Sequence, residues 1–193
     1  HEQTFISCKS ESSSMIKPQI YRVLFTTFFC LVLGRSHSAF SYSLDQSSES
    51  DTTLVLDLNE AASKLWRSHP DSSRRLAVEG LIISENIDFK QGIARSFNNL
   101  GALNFFNGKF DSAYYYWNES LAIWEKLEDK IQVSKMLGNV ALALNEQNEL
   151  SEAIALNKKA VELRTEINDT LQIAIGYNNL GILYEKIGDL DKA

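Results

Sequence analysis

One property of this chain narrows its possible folds more than any other: it repeats itself at an interval of 40 residues. Asn99-Leu100-Gly101, Asn139-Val140-Ala141 and Asn179-Leu180-Gly181 stand in register at that offset. Gly108, Asn148 and Gly188 keep it and mark a tight turn; Phe110, Leu150 and Leu190 follow the turn, and Ala113, Ala153 and Ala193 come three residues later. Ser120 pairs with Ala160, and Glu128-Asp129-Lys130 with Asn168-Asp169-Thr170. Self-similarity at a fixed period of this size means stacked copies of one small unit, each burying its apolar face against the next.

Within a unit the apolar residues have helical spacing. Ala153, Leu156, Ala160, Leu163 and Ile167 step by three or four, which is one stripe of a helix. Asp111 and Ser151 stand where a side-chain oxygen can accept from the free N–H groups of a first turn. Each unit is therefore expected to be two helices, one near 92–107, 132–147 and 172–187, the other near 111–128 and 151–168. Pro70 is the one proline after the N-terminal segment, which suits a helical chain. Gly101, Ala113 and Ser120, or Ala141, Ala153 and Ala160, leave almost no side chain where the helices would cross, so the backbones can approach closely. A glycine inside a helix costs about 1 kcal/mol relative to alanine. Its recurrence at Gly101 and Gly181 predicts a packing reason.

These residues resemble the tetratricopeptide repeat, whose pattern runs from a bulky residue to Leu-Gly, an aromatic, Ala, an aromatic and Ala. The bulky positions are Phe97, Leu137 and Tyr177, and the Leu-Gly pair is Leu100-Gly101, Val140-Ala141 and Leu180-Gly181. Asn104, Leu144 and Tyr184 follow, then Ala113, Ala153 and Ala193, with Trp117 and Asn157 where the second aromatic belongs. The match covers about 92–193, good for the small residues and mixed for the aromatics. The period is 40 where the family's usual one is 34, and Glu125 and Thr165 replace the closing proline. The additional residues should lengthen both helices around the unit-to-unit turn. Such spacing is similar to the long-period repeats of bacterial exported sensor regions and of kinesin-light-chain-type arrays. The resemblance implies an all-α fold, a right-handed superhelix of antiparallel helix pairs forming an α-solenoid.

A further step back by 40 sets Trp66 to Asp71 opposite Phe106 to Asp111, and Gly80-Leu81 opposite Ser120-Leu121. The preceding helix, near 55–67, has Glu60-Ala61 in place of Leu-Gly, a divergence expected of a terminal cap that meets water on one face. At the other end Ala193 would lie only two or three residues into a helix, leaving Leu180, Leu183 and Ile187 uncovered. Together with His1 in place of an initiator methionine, this predicts a fragment of a longer protein.

Residues 1–14 carry no periodic pattern and read as upstream read-through or a scar. Residues 15–41 run from basic (Lys17, Arg22) through an apolar stretch, Val23 to Gly34, to small residues, the layout of a signal peptide. The competing reading is a membrane anchor, but twelve residues from Val23 to Gly34 fall short of the roughly 20 that span a bilayer. Residues 42–53, rich in Ser and Asp, read as a linker, and 54–193 as the repeat domain. An exported protein, periplasmic or membrane-associated, is expected; a cytoplasmic adaptor is the alternative. Cleavage is expected after Ser41, or after Ala39, and Cys8 and Cys30 both precede it, so disulfides, thiolate chemistry and cysteine metal sites are not expected in the mature chain. Of the 19 Lys and Arg, four precede Tyr42 (Lys9, Lys17, Arg22, Arg35); of the 25 Asp and Glu, two do (Glu2, Glu11). The remainder, 15 against 23, gives a formal charge of −8, which argues against nucleic acid as a partner of this region.

No constellation for catalysis, metal or cofactor is expected. His69 is the only histidine after the N-terminal segment, and beside Pro70 it reads as an exposed turn residue. Asn99, Asn139 and Asn179 fit either a ladder that binds ligand or bonds to the backbone of neighbouring helices, the second being favoured. The run Tyr114-Tyr115-Tyr116-Trp117, with Trp124, reads as inter-helix packing in preference to a recognition patch. The resemblance implies a protein or peptide ligand held on the side formed by the first helix of each pair. Carried over by position, the groove residues are Arg95, Asn98, Ala102, Phe105, Lys135, Leu142, Asn145, Asn178, Ile182 and Glu185. The expected function is an exported, non-enzymatic binding scaffold. The alternative is the N-terminal sensor region of a larger bacterial signalling protein, a histidine kinase or DNA-binding regulator.

Overall fold

The computed structural model describes residues 37–188 and 192. The segments read as read-through (1–14) and most of the signal peptide (15–36) lie outside the described residues. Residues from Ser48 onward form one compact unit.

Among the described residues seven helices follow one another: α1 (His37–Leu65), α2 (Pro70–Asn86), α3 (Lys90–Phe106), α4 (Phe110–Lys126), α5 (Lys130–Glu146), α6 (Leu150–Glu166) and α7 (Thr170–Lys186). No strand occurs among the described residues. From α2 onward every helix has 17 residues. The five expected helices in 92–168 and 172–187 are found with ends displaced by one or two residues. The stretch 42–53, read above as a linker, lies within α1. Within it Thr52 and Thr53 both donate to the Glu49 carbonyl, at 2.9 and 3.0 Å.

From α2 onward the helices are joined by three-residue turns that share one hydrogen-bond pattern. The second residue of each takes a left-handed conformation, at Asp88, Gly108, Glu128, Asn148 and Asn168, with Gly188 in the same place after α7. Its N–H reaches the carbonyl three residues back, and the next N–H reaches five back, as in Gly108 to Phe105 and Lys109 to Asn104, both at 2.9 Å. This is the Schellman arrangement, which closes a helix by satisfying its last carbonyls. Its recurrence every 20 residues shows that the 40-residue unit is two halves of equal length. Glu128 adopts φ 55° with a β-carbon that crowds the following carbonyl. Glu128→Gly is expected to stabilise the chain by about 0.5–1 kcal/mol, read as a higher urea midpoint with unchanged slope; a lower midpoint would contradict the strain assigned there.

Helix starts differ from expectation in one respect. Asp111 and Ser151 are the second residues of α4 and α6, and neither helix has a side-chain cap. Asp111 accepts from Gln147 Nε2 instead, at 2.7 Å. The capping side chains are Asp129 and Asp169, which accept from the N–H of Gln132 at 3.0 Å and of Gln172 at 3.2 Å.

Helices consecutive in sequence pack on one another from α2 to α7. Contacts between alternate helices sort the array into two layers. Asn99 reaches Asn59, Asn139 reaches Asn98, and Lys186 reaches Asn145, joining α1, α3, α5 and α7 in turn. Lys159 meets Glu125 at 3.5 Å and joins α6 to α4. Between the layers Ala113, Ser120, Ala141, Ala153 and Ala160 are fully buried, the close crossing their size predicts. A β-carbon on Gly101 would lie 2.5 Å from the Trp117 ring, which is the packing reason its sequence position implies. Trp117, Trp124, Met136, Leu137 and Val140 centre the core.

Candidate peptide-binding face

The first-helix layer presents a mixed surface. Arg95 and Lys135 are exposed on α3 and α5 at equivalent places, and Leu142 and Ile182 are exposed one period apart on α5 and α7. Asn178 and Glu185 are exposed, while Asn98, Ala102, Phe105 and Asn145 are half-buried. Phe105 belongs to packing more than to the surface, with ring centroids 5.4 Å from Trp117 and 5.5 Å from Phe110. Asn98 is engaged twice: its carbonyl accepts from Trp117 Nε1 at 3.3 Å and its Oδ1 from Asn139 Nδ2 at 3.1 Å.

Three of the sequence-derived candidates, Leu142, Asn145 and Ile182, meet at a cleft of about 40 Å³ whose other lining residues are Ala141, Asn157, Asn179 and Leu183. Lys186 donates to Asn145 Oδ1 at 2.8 Å across its α5–α7 boundary. Arg95, Asn98, Ala102, Phe105 and Lys135 lie away from this cleft, toward α3 and the start of α5.

The asparagine ladder divides. Asn99 is buried and donates to both the Asn59 carbonyl and Asn59 Oδ1 at 2.9 Å, the structural role favoured from sequence. Asn59 is itself a rung, 40 residues earlier; it also accepts from Ser96 Oγ at 3.1 Å and donates to the Val55 carbonyl at 3.0 Å. Asn139 bonds a side chain of the neighbouring helix, and Asn179 borders the cleft.

The burial of two polar residues, Arg164 and Asn157, was not read from the sequence. Arg164 on α6 is only 4% exposed, wedged against Gly138 and Gly176, and donates to the carbonyls of Ser134 and Gln172 at 3.2 and 3.1 Å. Burial lowers its pKa and Asp169 opposes the shift, while the guanidinium braces three helices through its two carbonyl bonds. Asn157, the other, occupies the place of Trp117 one period on. His69 is exposed, as its turn position predicts. Trp117 and Trp124 are buried and Tyr114 and Tyr116 half-buried, with only Tyr115 of that run exposed, so the aromatics serve chiefly as packing. Among the described residues no group of His, Cys, Asp and Glu is arranged to hold a metal ion.

Solved structures share this arrangement. BtubC (BKLC) from P. vanneervenii superposes with a TM-score of 0.67 at 20% identity, over 74% of this chain and 60% of that one. Aspartyl phosphate phosphatase F from Bacillus subtilis gives 0.68 at 16%, over 72% and 37%. A putative kinesin light chain from Podosopora anserina with nearly identical TPR-like repeats gives 0.61 at 15%, over 69% and 67%. This chain thus spans 60% of the first and well under half of the second. No curated protein matches the sequence. The tetratricopeptide repeat model matches residues 92–166 and 132–193. Matched over more than half its length, the chain belongs to the tetratricopeptide repeat family.

Proposed function

We propose that the chain binds an extended peptide or a peptide-like segment of a protein across the α3–α5–α7 face, without chemical turnover. Arrays of this family are protein–protein interaction scaffolds. The observation that carries the reading is the composition of that face: exposed Leu142 and Ile182 set among Arg95, Lys135, Asn145 and Asn178. Apolar side chains supply burial, and neighbouring cations and amides pair with a ligand's carboxylates and backbone. On the layer opposite, Lys159 and Glu125 pair with each other.

The apolar Val23 to Gly34 stretch behind Lys17 and Arg22 supports export of this scaffold to the periplasm or a membrane surface. Among the described helices none is long and apolar enough to cross a membrane. The rival reading, the input region of a larger signalling protein, would use the same face, and its motive is the 40-residue repeat spacing.

A peptide selected from a random display library on the full chain tests the reading. Its dissociation constant is expected near micromolar. Lys135→Glu with Leu142→Asp and Ile182→Asp, all exposed positions, should weaken it by at least about tenfold, the equivalent of one lost contact of 1.4 kcal/mol, with helix content unchanged. Equal binding by the triple variant would remove this face as the site.

A further inference from the structure

Repetition lets one unit serve as a control for the next. In the earlier unit Trp117 lies on Gly101, beside Phe105, and donates to the carbonyl of Asn98. One period later the same four places hold Asn157, Ala141, Asn145 and Gly138. Two aromatic rings have become two carboxamides, and the glycine that admitted the indole has become alanine. The cleft between α5, α6 and α7 lies at this exchange, lined by Ala141, Asn145 and Asn157. At roughly 10–15 Å³ per water, its 40 Å³ takes about three waters or one small planar head group.

Asn157 is 2% exposed. Its Nδ2 donates to the Ala153 carbonyl at 3.2 Å, so its Oδ1 cannot be exchanged with the amide nitrogen without losing that bond. This Oδ1 is buried and has no hydrogen-bond donor among the described residues. A buried acceptor left in that state is destabilising, and most such atoms in proteins have a partner. Asn179 lies across the cleft, and Leu142 and Ile182 stand exposed at its rim.

We propose that this cleft is a subsite for a primary carboxamide, the side chain of a glutamine or asparagine in the bound peptide. Its N–H donates to Asn157 Oδ1, its carbonyl oxygen accepts from Asn179 Nδ2, and Leu142 and Ile182 cover its aliphatic stem. The inference rests on the peptide-binding reading and adds a preference to it. A carboxylate of the same shape would set oxygen against Asn157 Oδ1. An ammonium would satisfy that oxygen but offer Asn179 Nδ2 no acceptor.

The test uses the full chain, its asparagine side-chain amides observed by NMR, with propionamide and N,N-dimethylpropionamide as probes. Propionamide is expected to shift the Asn157 and Asn179 signals saturably, and the dimethyl compound, which has no N–H, to bind about tenfold more weakly. Asn157→Leu keeps the volume and should cost propionamide about the same factor, read on Asn179. A141G with N157W rebuilds the earlier unit's packing and should abolish binding. Equal binding of the two amides, undiminished binding by Asn157→Leu, or no shift at the cleft would each overturn the subsite, the last showing that it holds water alone. A selected peptide that binds the face with no fall on Gln or Asn replacement overturns the subsite and leaves the peptide reading standing. Propionamide binding without any peptide captured supports the subsite and removes the peptide reading.

Discussion

Trp117→Ala is expected to destabilise the repeat domain by about 3–5 kcal/mol, the range for removing a large, fully packed aromatic from a core. Trp117 is 3% exposed, its ring touches Phe105, and its indole N–H is bonded to the Asn98 carbonyl, so truncation removes dispersion contacts, a ring pair and a donor together. Urea unfolding followed by circular dichroism reads the loss, and a change below about 1 kcal/mol would show that the site collapses freely. Gly101→Ala probes the same contact from the other side. Its β-carbon would lie 2.5 Å from the indole Cδ1 and 2.6 Å from Nε1, both atoms of a rigid ring held in the core. Overpacking of this kind costs about 1–3 kcal/mol. In Gly101→Ala with Trp117→Ala the clash disappears, so the two effects should fall well short of additive.

The second large effect is expected at Asn59. Its Oδ1 is the acceptor for both Ser96 Oγ and Asn99 Nδ2, in a pocket where all three residues are buried. Asn59→Leu takes that acceptor away from two buried donors, at about 1–3 kcal/mol each. Asn99 keeps its bond to the Asn59 carbonyl, which places the expected total near 2–4 kcal/mol. Adding Ser96→Ala should restore part of the loss, because a missing donor costs less than an unsatisfied one. No restoration in the double variant would mean that Ser96 is satisfied elsewhere and that the network is not the source of the effect.

Much of the fold was legible because stacking forces the same residues to recur. Gly101, Ala113 and Ser120 announced close helix crossings, and all three are buried there. Gly108 and Gly188 announced turns. The turns at Glu128 and Asn168 followed from the expected helix ends, but their left-handed residues did not, since residues with β-carbons hold a conformation usually signalled by glycine. Once the left-handed positions are known, a 20-residue half-period emerges that glycine spacing alone concealed. Asp129 and Asp169 recur at the 40-residue offset, yet their capping role depends on which residue begins the helix, and helix starts are blurred by a residue or two in any periodic pattern.

Less of the candidate site was legible. Position in the repeat put Arg95, Lys135, Leu142 and Ile182 on an exposed surface, and put Phe105 there too, although its ring packs on Trp117. Arg164 looks in sequence like any helix-end cation; only Gly138 and Gly176 on the flanking helices, across which it lies, reveal why it is buried. Asn157 differs again, for its meaning comes from what stands at the same place one period earlier. A comparison of Trp117 with Asn157 in the sequence shows an exchange, but whether the vacated volume closes or stays open depends on helix separation, which no single position encodes.

The central claim is that the α3–α5–α7 face receives the ligand. Its most direct test is a chemical-shift map of the full chain titrated with the display-selected peptide. The account predicts saturable shifts at Arg95, Lys135, Leu142, Asn178 and Ile182, with Glu125 and Lys159 on the opposite layer unmoved. Shifts confined to the α4–α6 layer, or to the turns, would contradict it.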